Sequence, residues 1–489
     1  MLRHLAEEAN VTRTENGAIT PLTTQSDCLD LFATIGALRR EKSGEIVKRF
    51  VRAFSENRDV AMKILFFARD VRGGLGERRV FRTILRWLAQ NEPATLCKNL
   101  PYVAEYGRYD DLMTLMGTPC ERDMLEFISA RFREDMQALS QGEAVSLLAK
   151  WLPSVNASSA ITVQNAKKIA RFLGMTDASY RKALVALRAS IHILENHLRT
   201  KDYSFDYSKQ PSKAMFKYRA AFWRNDGERY KAFLEQVRSG KATLHTATLA
   251  PYEIVEPYFN GYVLRKLTQK EQMTLNTTWA NLPAYDTEEN ALVVVDGSGS
   301  MYCQHSPMPA SVALSLGLYF AEHNTGAFGN SFITFSTRPR LVQLKGETFV
   351  EKLRYASSFN EVADTNLEAV FKLILKVAQK HGVPQNEMPS KVIVVSDMEF
   401  NACVQNAGMS NFQNAKAMFE AAGYKLPDVV FWNVASRHTA QPVTKNEQGV
   451  ALVSGCTPRL FSMIASGTMN PYVFMMEVVE SERYANIAA

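Results

Sequence analysis

From about residue 28 to residue 270 the apolar positions return every three or four residues, as in "LFATIGALRR", "VKRFVRAF", "AMKILFFARD", "VFRTILRWLA", "DMLEFISARF", "AKKIARFLG", "YRKALVALRASIHILENHL" and "YKAFLEQVRSG". That period lays the apolar side chains along one stripe of a helix and predicts a series of amphipathic helices. Breakers punctuate the series at Gly73-Gly74, Pro93, Pro101, Gly117, Pro119 and Pro153. Successive helix pairs of this kind predict a solenoid-like, HEAT-like stack, although no repeat of fixed period is present. After about residue 285 the pattern changes. Strands are expected at 291–295, 331–335, 341–344 (an edge), 391–396, 428–434 and 450–453, and helices at about 309–323, 366–380 and 412–422. Strands alternating with helices predict an α/β doubly wound, Rossmann-like sheet that is mostly parallel. The closing segments "TPRLFSMIASG" and "NPYVFMMEVVES" read as helices, the second opened by Pro471 at a first-turn position. The expected organisation is a helical-repeat module over 1–280 and an α/β domain over 285–489, joined by the polar "NLPAYDTEEN".

A chain of 489 residues exceeds what one hydrophobic core serves, in keeping with two domains. Its net charge of +7 is unevenly placed: residues 281–489 carry 15 basic and 19 acidic side chains, net −4, leaving 42 and 31, net +11, for residues 1–280. The N-terminal part is therefore the candidate for a polyanion partner, with a solvated helical surface as the other reading. No apolar stretch approaches the roughly 20 residues of a membrane span. Glu7 and Glu8 interrupt what would be the apolar core of a signal peptide. The six cysteines are far apart and form no CxxC pair. A reducing, cytoplasmic setting is expected, without membrane attachment.

Chemistry concentrates where strands end. In "ALVVVDGSGSMY" a buried strand runs straight into Asp296, Ser298 and Ser300; "VIVVSDMEF" delivers Asp397 the same way; "DTNLEAVFKLILKV" places Thr365 just before a long helix. Open parallel sheets bind ligands at the carboxyl ends of their strands. Two carboxylates and three hydroxyls form an all-oxygen donor set, which suits a hard cation: Mg²⁺ first, with Mn²⁺ or Ca²⁺ as other divalent candidates. Gly297 and Gly299 are expected to ease the turn that gathers the two serines. The pattern resembles the metal-ion-dependent adhesion site of von Willebrand factor A domains, written D-x-S-x-S, then a distant Thr, then a distant Asp. That resemblance implies one divalent cation with an open position completed by water or by a partner's carboxylate.

Longer stretches carry a second resemblance: "RDVRGGLGERRVF", "YVAEYGRYDDLM", "KWLPS", "SYRKALVALR", "YSKQPSKAMFKYRAAFWRNDGERYKAFLEQVRSGKATL" and "PYEIV". They are similar to an uncharacterised family with an N-terminal helical module and a C-terminal von Willebrand A domain, itself similar to the Ro autoantigen, or TROVE-module, ribonucleoproteins. In Ro proteins the helical repeats form a ring closed by the A domain and bind small structured RNAs and the ends of misfolded RNAs. The resemblance implies RNA, structured or single-stranded, as partner. From the residues themselves, Lys213, Lys217, Arg219 and Arg224 interleave with Phe216, Tyr218, Phe222 and Trp223. Such a segment can track phosphates while stacking bases, and its aromatics serve equally as core. Lys213, Lys217 and Arg224 fall on one helical face. A second basic cluster, with Arg72, Arg78 and Arg79, surrounds "RGGLGERR", where exposed backbone N–H groups would suit phosphate. It lacks the signature of a P-loop, and a turn between helices is the preferred reading.

An enzyme is not expected, and no catalytic residue is assigned. None of the eight histidines has HExxH spacing, Ser298 is not in a GxSxG elbow, and His305 near the metal turn reads as incidental. Glu399 is the one extra acid beside Asp397, too little for a two-metal nuclease. The leading expectation is a non-catalytic RNA-binding protein of Ro type. The alternative is a metal-dependent protein-interaction scaffold without RNA, whose partner supplies a carboxylate to the metal.

Overall fold

The computed structural model describes residues 8–191, 193–261, 263–285, 289–302, 307–336, 338–359, 365–404 and 408–489. Its strands are β1 (Val11–Arg13), β2 (Ile19–Pro21), β3 (Phe259–Asn260), β4 (Val263–Leu264), β5 (Ala291–Asp296), β6 (Ser331–Phe335), β7 (Leu341–Gln343), β8 (Lys391–Ser396), β9 (Asp428–Asn433) and β10 (Val450–Ser454). Helices dominate everything between Asp27 and Ala280, and a central sheet follows. The chain divides into two compact units, Met1–Ile64 with Pro211–Arg483, and Leu65–Gln210 with Tyr484–Ala489. This division and the change of patterning near residue 285 cut the chain at different places.

In the first unit six strands form a sheet in the order β10-β9-β8-β5-β6-β7, parallel throughout except for the antiparallel edge β6–β7. Every residue of β5, β8 and β10 is buried, as expected where helices cover both faces and the strand sequences run almost entirely apolar. On one face lies the helix Pro309–His323, set so close that a Cβ on Gly317 would stand 2.3 Å from Val295 Cγ2. On the other, Val370, Phe371, Ala415 and Phe419 of the helices Leu367–His381 and Asn411–Ala421 pack on Val392, Val394 and Phe431. The helix Phe349–Ser357, absent from the elements expected above although Phe349, Val350, Leu353 and Ala356 recur at helical spacing, is opened by a capping box between Thr348 and Glu351. Phe349 stacks on Trp279 with ring centroids 3.8 Å apart.

The start of the chain belongs to this unit as well. Gly36, just past the helix Asp27–Ile35, donates its N–H to Ser454 Oγ at 3.0 Å. A Cβ there would sit 2.6 Å from the Ser454 backbone, so only glycine allows the helix end to touch β10. Upstream, β1 and β2 pair antiparallel around Asn16-Gly17, with Gly17 at φ +85° and Thr14 N–H donating to Ala18 O at 2.9 Å. Asn-Gly between two β-prone runs is a strong hairpin signal. The hairpin docks beyond the end of β8: Gly17 bridges Asn401, and Thr14 Oγ1 donates to Phe400 O at 2.6 Å.

The second unit is helical, and conspicuous sequence segments explain themselves there by packing. Arg188 of "ALVALR" donates to Ala149 O, Leu152 O and Ser154 Oγ, each at 2.8 Å, and so holds the "KWLPS" turn. Buried Arg69 pairs with buried Asp111 at 2.7 Å, and Arg82 reaches the other Asp111 oxygen at 2.6 Å. Among the described residues no helix is long and apolar enough to cross a membrane.

Candidate metal centre

The strand order places β5 and β8 side by side, while the chain leaves β5 toward β6 on one flank and reaches β8 on the other. That reversal makes a crevice at the carboxyl ends of these two strands. Asp296 is the last residue of β5, and Asp397 follows the last residue of β8. Both side chains are buried.

Local hydrogen bonds shape the first turn. Ser298 N–H donates to Asp296 Oδ1 at 2.8 Å, and the Ser298 and Ser300 hydroxyls lie 3.1 Å apart. The chain then enters a short 3-10 segment, Gly299–Tyr302. Across the crevice Ser396 Oγ donates to Asp296 Oδ2 at 2.5 Å. Thr365 is buried, and its carbonyl accepts the Asn401 N–H at 2.9 Å, which sets it beside the segment that follows Asp397. The five oxygen-bearing residues named from the sequence therefore converge on one end of the sheet.

The electrostatics of the crevice are set by its buried acids. Burial first, and then the negative charge of Asp397, push the Asp296 carboxyl up to about 7. Two buried carboxylates facing each other, with hydroxyls and no sulfur or imidazole among the five residues, fit a divalent cation with oxygen ligation. Asp397 has further partners: its Oδ1 accepts the Glu399 N–H at 3.2 Å, and its Oδ2 accepts from Arg437 Nη2 at 2.8 Å. Glu399 lies past the strand end, after Met398 at φ +67°. Burial raises its pKa, and its Oε2 accepts the Glu15 N–H at 2.7 Å. His305 lies outside the described residues.

Ser396, Arg437 and Glu15 were not identified from the sequence. Ser396 stands in the quoted "VIVVSDMEF", but a serine in a strand carries no motif of its own. Arg437 sits in a loop after β9 whose partner, Glu15, is more than 400 positions away, and only the hairpin signal at Asn16-Gly17 was available to draw notice there.

The basic residues are placed as follows. Lys213, Lys217 and Arg224 are exposed on the helix Ser212–Asn225, with Lys213 paired to Glu253 at 2.9 Å. Arg219 is engaged inside the fold: it donates to Tyr258 Oη at 2.8 Å and to Phe216 O at 2.6 Å, and its guanidinium covers the Phe216 ring at 3.9 Å. Phe216 and Phe222 are core residues, and Trp223 Nε1 donates to Thr274 Oγ1 at 2.8 Å. Arg72, Arg78 and Arg79 are exposed in the second unit. In their loop the Gly74 and Gly76 N–H groups donate to Asp70 O at 3.2 and 3.1 Å, closing a turn after the preceding helix. Those two N–H groups are thus directed into the turn.

Residues 14–126 and 122–285 match a family model described as Domain of unknown function (DUF2828). The chain belongs to this family. Residues 290–483 match a second model, Domain of unknown function (DUF7788), which spans the sheet, the candidate metal residues and Arg437. Uncharacterized protein L728 of Acanthamoeba polyphaga mimivirus is 28% identical over 510 residues, covering 96% of this DUF2828 chain and 88% of that protein. Among solved structures, the Ro (RSR) protein of Deinococcus radiodurans superposes with a TM-score of 0.50 at 14% identity, covering 90% of this chain and 99% of that one. Proximal thread matrix protein 1 of the mussel byssus, solved with a zinc-occupied MIDAS motif, overlaps 37% of this chain and 47% of its own at 13% identity and a TM-score of 0.26. The fold of this DUF2828 protein is Ro-like, with a helical module and a mostly parallel α/β sheet.

Proposed function

We propose that this protein is a non-catalytic, cytoplasmic RNA-binding protein of Ro-like type. Its helical part contacts RNA phosphates, and its A-type domain binds one Mg²⁺ through Asp296, Ser298, Ser300, Thr365 and Asp397. When bound, that cation supplies an oxygen-seeking position for an acidic group of a partner or of the domain interface. One observation carries the RNA reading: in a chain whose fold is Ro-like over 90% of its length, the net +11 falls on the largely helical residues 1–280, and it includes the exposed Lys213, Lys217, Arg224, Arg72, Arg78 and Arg79. Phosphate binding of this kind is non-catalytic positioning by charge, and it weakens steeply with salt as counterions are released.

The test is the nucleic-acid content of the purified protein after a moderate-salt wash, followed by gel shifts with structured and single-stranded RNA across a salt series. A defined RNA population with a steep salt slope is expected. Clean protein that shifts neither RNA at low salt overturns the reading in favour of a metal-dependent protein-interaction scaffold.

A further inference from the structure

Arg437 holds two acids at once. Its Nη2 donates to Asp397 Oδ2 at 2.8 Å, and its Nη1 lies 2.9 Å from Glu15 Oε2. The position is built, because the loop that carries it is pinned by Arg49, which donates to Ser436 Oγ at 3.1 Å and to His438 O at 3.2 Å. Glu15 is equally fixed. Its N–H is taken by Glu399, its neighbour Asn16 donates to Glu399 O at 2.6 Å, and His438 Nε2 lies 2.8 Å from its Oε1.

We propose that Arg437 sets how tightly the Asp296–Asp397 site holds its cation, and that Glu15 acts through Arg437 in the opposite sense. The inference rests on the cation reading above. Both oxygens of Asp397 already accept a hydrogen bond, so a cation ligated there shares the carboxylate with a guanidinium and sits near its fixed positive charge. Like charges a few ångströms apart in a partly desolvated site oppose each other strongly. Glu15, on the other edge of the guanidinium fork, cancels part of that charge and draws the fork away from Asp397. Glu15, Glu399 and His438 also bring ligand atoms within 4.8 Å of one another. The guanidinium already paired with Glu15 speaks against a second cation there and for a relay of ion pairs. Cation affinity is thereby tied to the docking of the β1–β2 hairpin, which carries Glu15 to the site.

The experiment titrates Mn²⁺ alone into chelator-stripped full-length protein by calorimetry. Arg437→Gln is expected to bind about tenfold more tightly than the wild type, and Glu15→Gln about threefold more weakly, magnitudes typical of one nearby charge in a partly solvated site. Arg437→Lys, which keeps the charge, should fall between Arg437→Gln and the wild type. Glu15→Gln/Arg437→Gln should match Arg437→Gln, because Glu15 has nothing left to act through. A merely structural role for these residues would weaken binding in both single variants. The proposal is overturned by unchanged or weaker binding in Arg437→Gln, or by unchanged binding in Glu15→Gln, which remains readable if Arg437→Gln does not fold. Failure of the wild type to bind Mn²⁺, or undiminished binding in Asp296→Ala, overturns the cation reading and this inference with it. Wild-type binding that is lost in Asp296→Ala while Arg437→Gln stays unchanged overturns this inference alone.

Discussion

The Ser396 hydroxyl donates to Asp296 Oδ2 at 2.5 Å and so ties together the carboxyl ends of two adjacent parallel strands, β8 and β5. Its own Oγ in turn accepts the Met398 N–H at 3.1 Å, which links the bond to the turn that presents Asp397. Ser396→Ala leaves a buried acceptor without its donor, and the expected cost is about 1–3 kcal/mol. Urea unfolding of the variant in chelator measures it; a change within error would mean that the bond contributes no net stability.

A cation that binds the folded site and not the unfolded chain stabilises by about 2.7 kcal/mol at one hundred times its Kd. Saturating Mg²⁺ or Mn²⁺ is therefore expected to raise the melting temperature of the wild type, and chelator to reverse the rise. Asp296→Ala and Asp397→Ala should each abolish the increment. An increment that persists in both variants would place the cation elsewhere.

Helix Ser212–Asn225 separates two roles that its basic residues share in sequence. Lys217 and Arg224 are exposed, whereas Arg219 is tied to Tyr258 and Phe216. Lys217→Ala/Arg224→Ala is expected to weaken RNA binding by a similar factor for different RNAs and to lower the salt slope by about 1 for each phosphate that is no longer neutralised. Arg219→Ala should lower the melting temperature. An unchanged salt slope in the double variant would remove this face from the RNA surface.

Most of the architecture was legible from apolar periodicity alone, because a strand buried on both faces, such as 391–396, is nearly continuous in Val and Ile, and an amphipathic helix is not. The convergence of Asp296 and Asp397 was legible for a related reason: sequence determines which residue follows each strand, and strand order brings those ends together. The fate of Arg219 was not legible, since a basic residue among aromatics has the same sequence whether its guanidinium faces phosphate or covers Phe216. Nor was the Glu15–Arg437 pair, which depends on a hairpin docking across almost the whole length of the chain. Such long-range pairings have no periodicity to betray them.

In the second unit the pair Arg69–Asp111 is buried on both sides and bridged at 2.7 Å, and a Cβ on Gly107 would come within 2.5 Å of Asp111 Oδ2. Burial lowers the pKa of Arg69, while Asp111 counteracts that effect. Removing one member strands the other charge, and Asp111→Ala is expected to cost about 3–5 kcal/mol. The exposed pair Arg122–Glu126, bridged at 3.0 Å, serves as the control. Arg122→Ala should change stability by less than about 1 kcal/mol. Equal effects in chemical unfolding would mean that burial does not set the value of these pairs.

Asp30, in the helix Asp27–Ile35, supplies a pH signature remote from the candidate metal site. Burial pushes its carboxyl up to about 6 from an ordinary 3.8, although its Oδ1 accepts the Thr24 N–H at 2.8 Å. Because the folded pKa lies above the unfolded one, the folded state binds more protons between those values. Its contribution to stability is fully present below about pH 4 and is lost as pH rises through about 6, a change on the order of 3 kcal/mol for a shift of this size. Asp30→Asn keeps an acceptor for Thr24 and cannot ionise. The stability of Asp30→Asn relative to the wild type should therefore increase between pH 4 and pH 7, as measured by urea unfolding at each pH. A difference that stays flat across that range would show that Asp30 titrates normally in the fold.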